Sequence, residues 1–99
     1  MKYQVTVAAT AILEVELAAD WYLSRAPIVA QQFVTSFAHV LNSLEEYPLR
    51  GNTLEAGSRY RQVRIPSFPY LAIYTVNAES VTVLAVAHER RQPLYWLGR

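Results

Sequence analysis

Residues 59–88 read RYRQVRIPSFPYLAIYTVNAESVTVLAVAH, and this stretch decides the fold. Arg59 to Ile65 alternates polar and apolar residues, the period of a half-buried strand. Tyr70 to Val76 is aromatic and β-branched, and Val81 to Ala87 is almost continuously apolar, as in a strand covered on both faces. Pro66 and Pro69 bracket the first turn, and Asn77 to Ser80 forms the second. Both connections are short, which predicts three strands in an antiparallel meander. Alternation puts Arg61 on one face with Val63 and Ile65, and Arg64 on the other with Tyr60 and Gln62.

Upstream, Met1 to Val7 alternates Tyr3, Val5 and Val7 against Lys2, Gln4 and Thr6, a further strand. From Thr10, a suitable N-cap, to Arg25, the residues Leu13, Leu17 and Trp21 recur every four positions, which predicts an amphipathic helix. Pro27 stops it and suits the first position of a second helix, because its missing N–H would be unpaired there anyway. Val29, Phe33, Phe37, Leu41 and Leu44 form the stripe of that helix, which runs to about Tyr47 before Pro48. Residues 48–58, with Gly51, Asn52 and Gly57, read as a loop. The predicted order is β-α-α-β-β-β, an α+β fold in which a helical hairpin covers one face of a four-stranded antiparallel sheet. The other face is expected to be open, a place for a site. Glu89 to Arg99 follows as a polar and aromatic tail around Pro93.

Ninety-nine residues suffice for a single domain, 1–99, with one core. A hydrophobic content of 53% against 17% charged residues excludes wholesale disorder and predicts an apolar patch for a protein partner. Without cysteine there are no disulfides and no thiol chemistry; two histidines do not make a metal site, and no cofactor is expected. No run reaches the roughly 18 apolar residues of a membrane span. Nor does the N-terminus read as a signal peptide, so a cytoplasmic location is expected. Charge is unevenly spread. Residues 1–50 hold three cations against five carboxylates, residues 51–99 six cations against three, and those six are all arginine. Arginine makes bidentate contacts to phosphate or carboxylate and stacks on rings, so the second half is a candidate recognition surface.

Three segments carry a family resemblance: Arg61-Gln-Val-Arg64-Ile-Pro-Ser-Phe68-Pro69-Tyr70 with Ile73-Tyr74, Val83 to Arg91 with His88 and Arg90, and Gln92 to Arg99 with Pro93, Tyr95 and Trp96. Together they resemble the ParE branch of the RelE/ParE toxin superfamily, often labelled plasmid stabilisation proteins. In that family an Arg, a Phe-Pro-Tyr turn, a following Tyr and a last strand ending His-x-x-Arg-x-Pro-x-x-Trp recur. The resemblance implies a toxin encoded beside a cognate antitoxin that masks it, as a hetero-oligomer or with homodimers. For ParE-like members it implies inhibition of DNA gyrase. For RelE-like members it implies cleavage of messenger RNA on the ribosome, with basic residues on the sheet and a C-terminal Tyr or His.

For target binding the candidates are Arg61, Arg64, Arg90, Arg91, Tyr95 and Trp96. Leu13, Leu17, Trp21, Phe33 and Phe37 are the candidates for an apolar groove that receives an amphipathic antitoxin helix. A nuclease needs a base, an acid and cations on the developing charge, roles that His88, Tyr95, Arg64 and Arg90 would fill. Lys2 is the only lysine, so the catalytic lysines common in RelE-like nucleases have no counterpart. That absence favours a gyrase-directed toxin that acts by binding. A ribosome-dependent endoribonuclease and a non-toxic structural domain of the same fold are the rival readings.

Overall fold

The computed structural model describes residues 2–99; Met1, the expected start of the first strand, lies outside them. The elements are β1 (Gln4–Val7), α1 (Ala9–Leu23), α2 (Pro27–Glu46), β2 (Asn52–Thr53), β3 (Tyr60–Arg64), β4 (Tyr70–Asn77) and β5 (Ser80–His88). They form the expected α+β fold, with both helices on one sheet. The strand order is β1-β5-β4-β3-β2. The meander β3-β4-β5 is antiparallel, whereas β1 lies parallel to β5, with Gln4 opposite Ser80 and Val7 opposite Val83.

Helix α1 starts earlier than its expected cap. The Ala8 N–H donates to the Val83 carbonyl at 2.8 Å and extends the β1 pairing by one residue. The chain then turns straight into the helix, with Ala8 as a cap that makes no side-chain bond and Thr10 inside the first turn. The inward face also differs. Ala11 and Ala18 are buried, with Val15, Ala19 and Tyr22 against the core, while Leu13, Leu17 and Trp21 point outward, Leu17 being 61% exposed. Alanine on the inner face lets the helix axis approach the sheet closely. Nearly every side of α1 is apolar, so the larger residues are left outside.

Helix α2 starts with Pro27 in the first turn, as expected, but Val29 and Leu41 of the expected stripe are only partly buried, and Ala30 and Val40 are buried in addition to Phe33, Phe37 and Leu44. Phe33, Phe37, Val40 and Leu44 recur at helical spacing and are buried. Phe33 is 0% exposed and meets Tyr22, Phe68 and Tyr70 with ring centroids 5.1 to 5.6 Å apart. Phe33 and Phe37 are therefore core residues, not the groove residues expected for an antitoxin, because their rings face the sheet.

A one-residue bulge sets the character of β5. Ile73 pairs with Ala85 but Tyr74 pairs with Val83, so Leu84 has no partner across the ladder. Val81 and Val83 face the helices before the bulge, and Val86 does so after it. Ala85 is turned to the opposite face, beside Ile73. That face is not open. The C-terminal tail folds back over it and buries Trp96 to 3% exposure, with the Tyr60 ring 4.8 Å away. The expected uncovered face would have left Ile73 and Ala85 in water, and the indole removes that cost.

The sheet gains a fifth strand inside the expected loop. Asn52 and Thr53 pair with Gln62 and Arg61. Gly51 makes this possible: its N–H donates to the Tyr74 hydroxyl at 2.9 Å, and a Cβ there would lie 2.6 Å from both the Gln62 carbonyl and the Tyr74 oxygen.

Truncation separates the two helix faces. Phe33→Ala is expected to cost about 3 to 5 kcal/mol in urea unfolding, and Leu17→Ala no more than about 0.5 kcal/mol. Equal costs would contradict the assignment of inner and outer faces.

Candidate functional site

Beyond Val83 the outer edge of β5 has no strand beside it among the described residues, and α1 and the tail meet there. Between them lies an open groove of about 480 Å³, floored by Val86 and Tyr70 and walled by Leu17, Trp21, His88, Arg91 and Tyr95. Glu14 lines it as well. Its carboxylate accepts from the Val86 N–H at 3.0 Å, from the Tyr95 hydroxyl, and from both terminal nitrogens of Arg99 at 2.8 and 3.3 Å. Arg99 also donates to the Leu84 carbonyl at 3.4 Å. The Glu14–Arg99 pair is well shielded, with side chains 15% and 25% exposed. Charge-assisted hydrogen bonds of this kind contribute roughly 1.5 to 3 kcal/mol, against about 0 to 1 kcal/mol for an ion pair in open solvent.

The titration behaviour follows from these contacts. Burial pushes the Glu14 carboxyl up, but the bonds from Arg99, Tyr95 and Val86, with the Arg99 charge, outweigh it and leave the group below its usual range. Burial, then the bond to Glu14 and its charge, push the Tyr95 phenol up to about 12. Arg91 stacks over the Tyr95 ring at 4.0 Å, and Arg99 lies 5.1 Å from it.

The candidate residues divide among several surfaces. His88 packs edge-on against Tyr70, at 5.1 Å, and its Nδ1 accepts from the Arg90 N–H at 3.1 Å. Arg64 pairs with Glu89 at 3.0 Å. It follows Tyr60 and Gln62 on the tail-covered face, away from the Tyr70 ring and its partner Phe33. Arg61 donates to the carbonyls of Leu49, at 3.3 Å, and Gly51, at 2.7 Å, and so ties down the chain before β2. Arg90 and Arg91 are exposed. Trp96, expected as a target contact, is instead turned inward and buried against the sheet among apolar neighbours. Groove residues Leu13, Leu17 and Trp21 form an exposed line on α1.

Glu14 is the site residue that sequence reasoning missed. A signal existed: Ala11, Glu14 and Ala18 lie three and four positions apart on the inward face of α1, and a carboxylate on an inward face requires a partner. Among the described residues, no group of three or more His, Asp or Glu side chains could hold a metal ion.

Two helices thus lie on one face of a five-stranded sheet, with the Tyr95 and Arg99 side chains closing around its edge onto Glu14. The family model described as "ParE toxin of type II toxin-antitoxin system, parDE" matches residues 5–93, and the chain belongs to that family. A solved structure described as the chromosomal ParDE TA system from P. aeruginosa is similar in fold, with a TM-score of 0.75 over 88% of this chain and 96% of that one. At 13% identity this likeness concerns the fold alone. No curated protein matches the chain. No helix among the described residues is long and apolar enough to cross a membrane.

The Glu14 bonds set a pH window. The tail's attachment is present above the ordinary carboxylate range and is lost as pH falls through the depressed Glu14 value. At the other end it is full below the ordinary phenol range and is lost as pH rises through about 12. A Tyr95 ring resonance followed by NMR should stay in its protonated position until about pH 12. A midpoint near 10, the usual phenol value, would contradict the contact.

Proposed function

We propose that this toxin inhibits DNA gyrase by binding, without chemistry of its own, and that a cognate antitoxin neutralises it in the cytoplasm. The observation that carries the reading is the dispersal of the residues a ribonuclease would have to gather. Arg64 is paired with Glu89 on one face of the sheet, and His88 is packed on Tyr70 on the other. The Tyr95 hydroxyl is taken up by Glu14, and a phenol near 12 is a poor proton carrier at neutral pH. The sole lysine, Lys2, sits 3.9 Å from Glu45 at the start of the chain. A toxin that works by contact needs none of these groups to converge.

In this reading the exposed arginines Arg90 and Arg91, with Arg64 at the rim and Tyr95 behind them, form the surface that meets the target. Trp96 supports that surface from within, and Arg61 supports the loop beneath it. The antitoxin takes the exposed line Leu13, Leu17 and Trp21 with an amphipathic segment, a complex between the two different chains. Its affinity comes from covering residues that water now touches.

The direct test adds purified toxin to a gyrase supercoiling reaction and, in parallel, to a translating lysate. Supercoiling should fail while translation continues, and Arg90→Ala with Arg91→Ala should weaken inhibition about tenfold or more, the scale of one charge-assisted contact. Arrested translation with supercoiling intact would favour the ribosome-dependent nuclease, and growth unaffected by induction would favour a non-toxic domain. For the antitoxin surface, Leu17→Asp should reduce co-purification of the partner at least about tenfold while leaving stability within about 0.5 kcal/mol. Unchanged capture would remove α1 from that interface.

A further inference from the structure

Beyond Glu89, whose N–H donates to the Pro69 carbonyl at 2.9 Å, the backbone bonds of the C-terminal segment are all local. They run from Arg91 to His88, from Leu97 to Leu94 and from Arg99 to Trp96. No ladder ties this segment to the sheet. Leu94 adopts φ 63, a left-handed conformation that is uncommon for leucine. What reaches from the segment to the rest of the molecule is the Trp96 side chain on the sheet, the side chains of Tyr95 and Arg99 on Glu14, and a longer bond from Arg99 to the Leu84 carbonyl at 3.4 Å.

We propose that Glu14 is a positioning residue: it clasps the C-terminal segment Leu94–Arg99 to helix α1 around the bare edge of β5, and so determines whether that segment is closed on the sheet or free. The clasp joins the first helix to the last residue of the sequence, with Arg99 at 85 positions' separation from Glu14. Its partners Tyr95 and Arg99 lie beyond residues 5–93, the stretch that the family model matches. The carboxylate is saturated from three directions: the strand edge through Val86, the tail ring through Tyr95 and the tail end through Arg99. Removing it leaves Arg99 without its anion and Tyr95 without its acceptor, so that only the Trp96 packing and the Arg99 bond to the Leu84 carbonyl resist opening. The consequence for toxicity rests on the reading above, in which the tail contributes to the target surface.

The experiment uses the full chain in a Trp21→Phe background, so that fluorescence reports Trp96 alone. Glu14→Ala should raise acrylamide quenching of Trp96 toward that of free indole and increase the open fraction about tenfold or more, the scale of one charge-assisted hydrogen bond. Glu14→Gln, which keeps an acceptor but not the charge, should fall between Ala and the parent. Hydrogen exchange at the central β4 amides should not change, which distinguishes tail release from unfolding. If Glu14→Ala does not fold, Arg99→Met carries the same test, because it leaves the Glu14 bond to Val86 in place. Quenching of Trp96 equal to the parent in folded variants overturns the clasp. Gyrase inhibition by the same variants bears on the other reading: a freed tail with full inhibition leaves the clasp standing and removes the tail from the target surface.

Discussion

Burial of β5 from both sides is the constraint on which the remaining structure depends. The strand lies between β1 and β4, and its bulge at Leu84 turns Val81, Val83 and Val86 toward the helices and Ala85 away from them. Two layers would cover only the first set. The tail supplies the missing cover through Trp96, and truncating a buried indole typically costs about 3 to 5 kcal/mol. Small domains are stable by only about 5 to 15 kcal/mol in all, so the tail is a structural element of this fold rather than an appendage.

This cover organises the functional surfaces. Because the tail must travel from the end of β5 across the sheet and back to the edge, Tyr95 and Arg99 arrive beside α1, and Glu14 meets them there. The exposed line Leu13, Leu17 and Trp21 stands on the outer side of the same helix. The groove at Glu14 thus separates an apolar surface from a cationic one.

Much of this architecture was legible. The strands β3, β4 and β5 follow from alternation, from an unbroken apolar run and from turns marked by proline and asparagine; α2 follows from Pro27 and a regular stripe. The rest was hidden for physical reasons. Two residues of β2 pair through backbone alone and are held by a tyrosine hydroxyl 23 positions further on, which no local pattern records. The parallel placement of β1 is decided by where α1 and α2 return the chain. In α1 a period of four ran through Leu13, Leu17 and Trp21, but alanine packs closer to a sheet than leucine does, and Ala11 and Ala18 took the inner face. Arg64 and His88 lie close to the same sheet end yet belong to different faces, a separation visible in alternation only once the bulge is known. The role of Glu14 depends on which face of α1 turns inward, and that of Trp96 on the path by which the tail returns over the sheet.

The arrangement of both surfaces requires the tail to be closed over the second face of the sheet. The direct measurement is the set of NMR proton cross-relaxation contacts of the Trp96 indole in the isolated chain. Contacts to the Ala85 and Ile73 methyl groups and to the Tyr60 ring, with methyl resonances shifted upfield by the indole, are the predicted result. An indole with no contacts to these residues and with the chemical shifts of an unfolded peptide would contradict it.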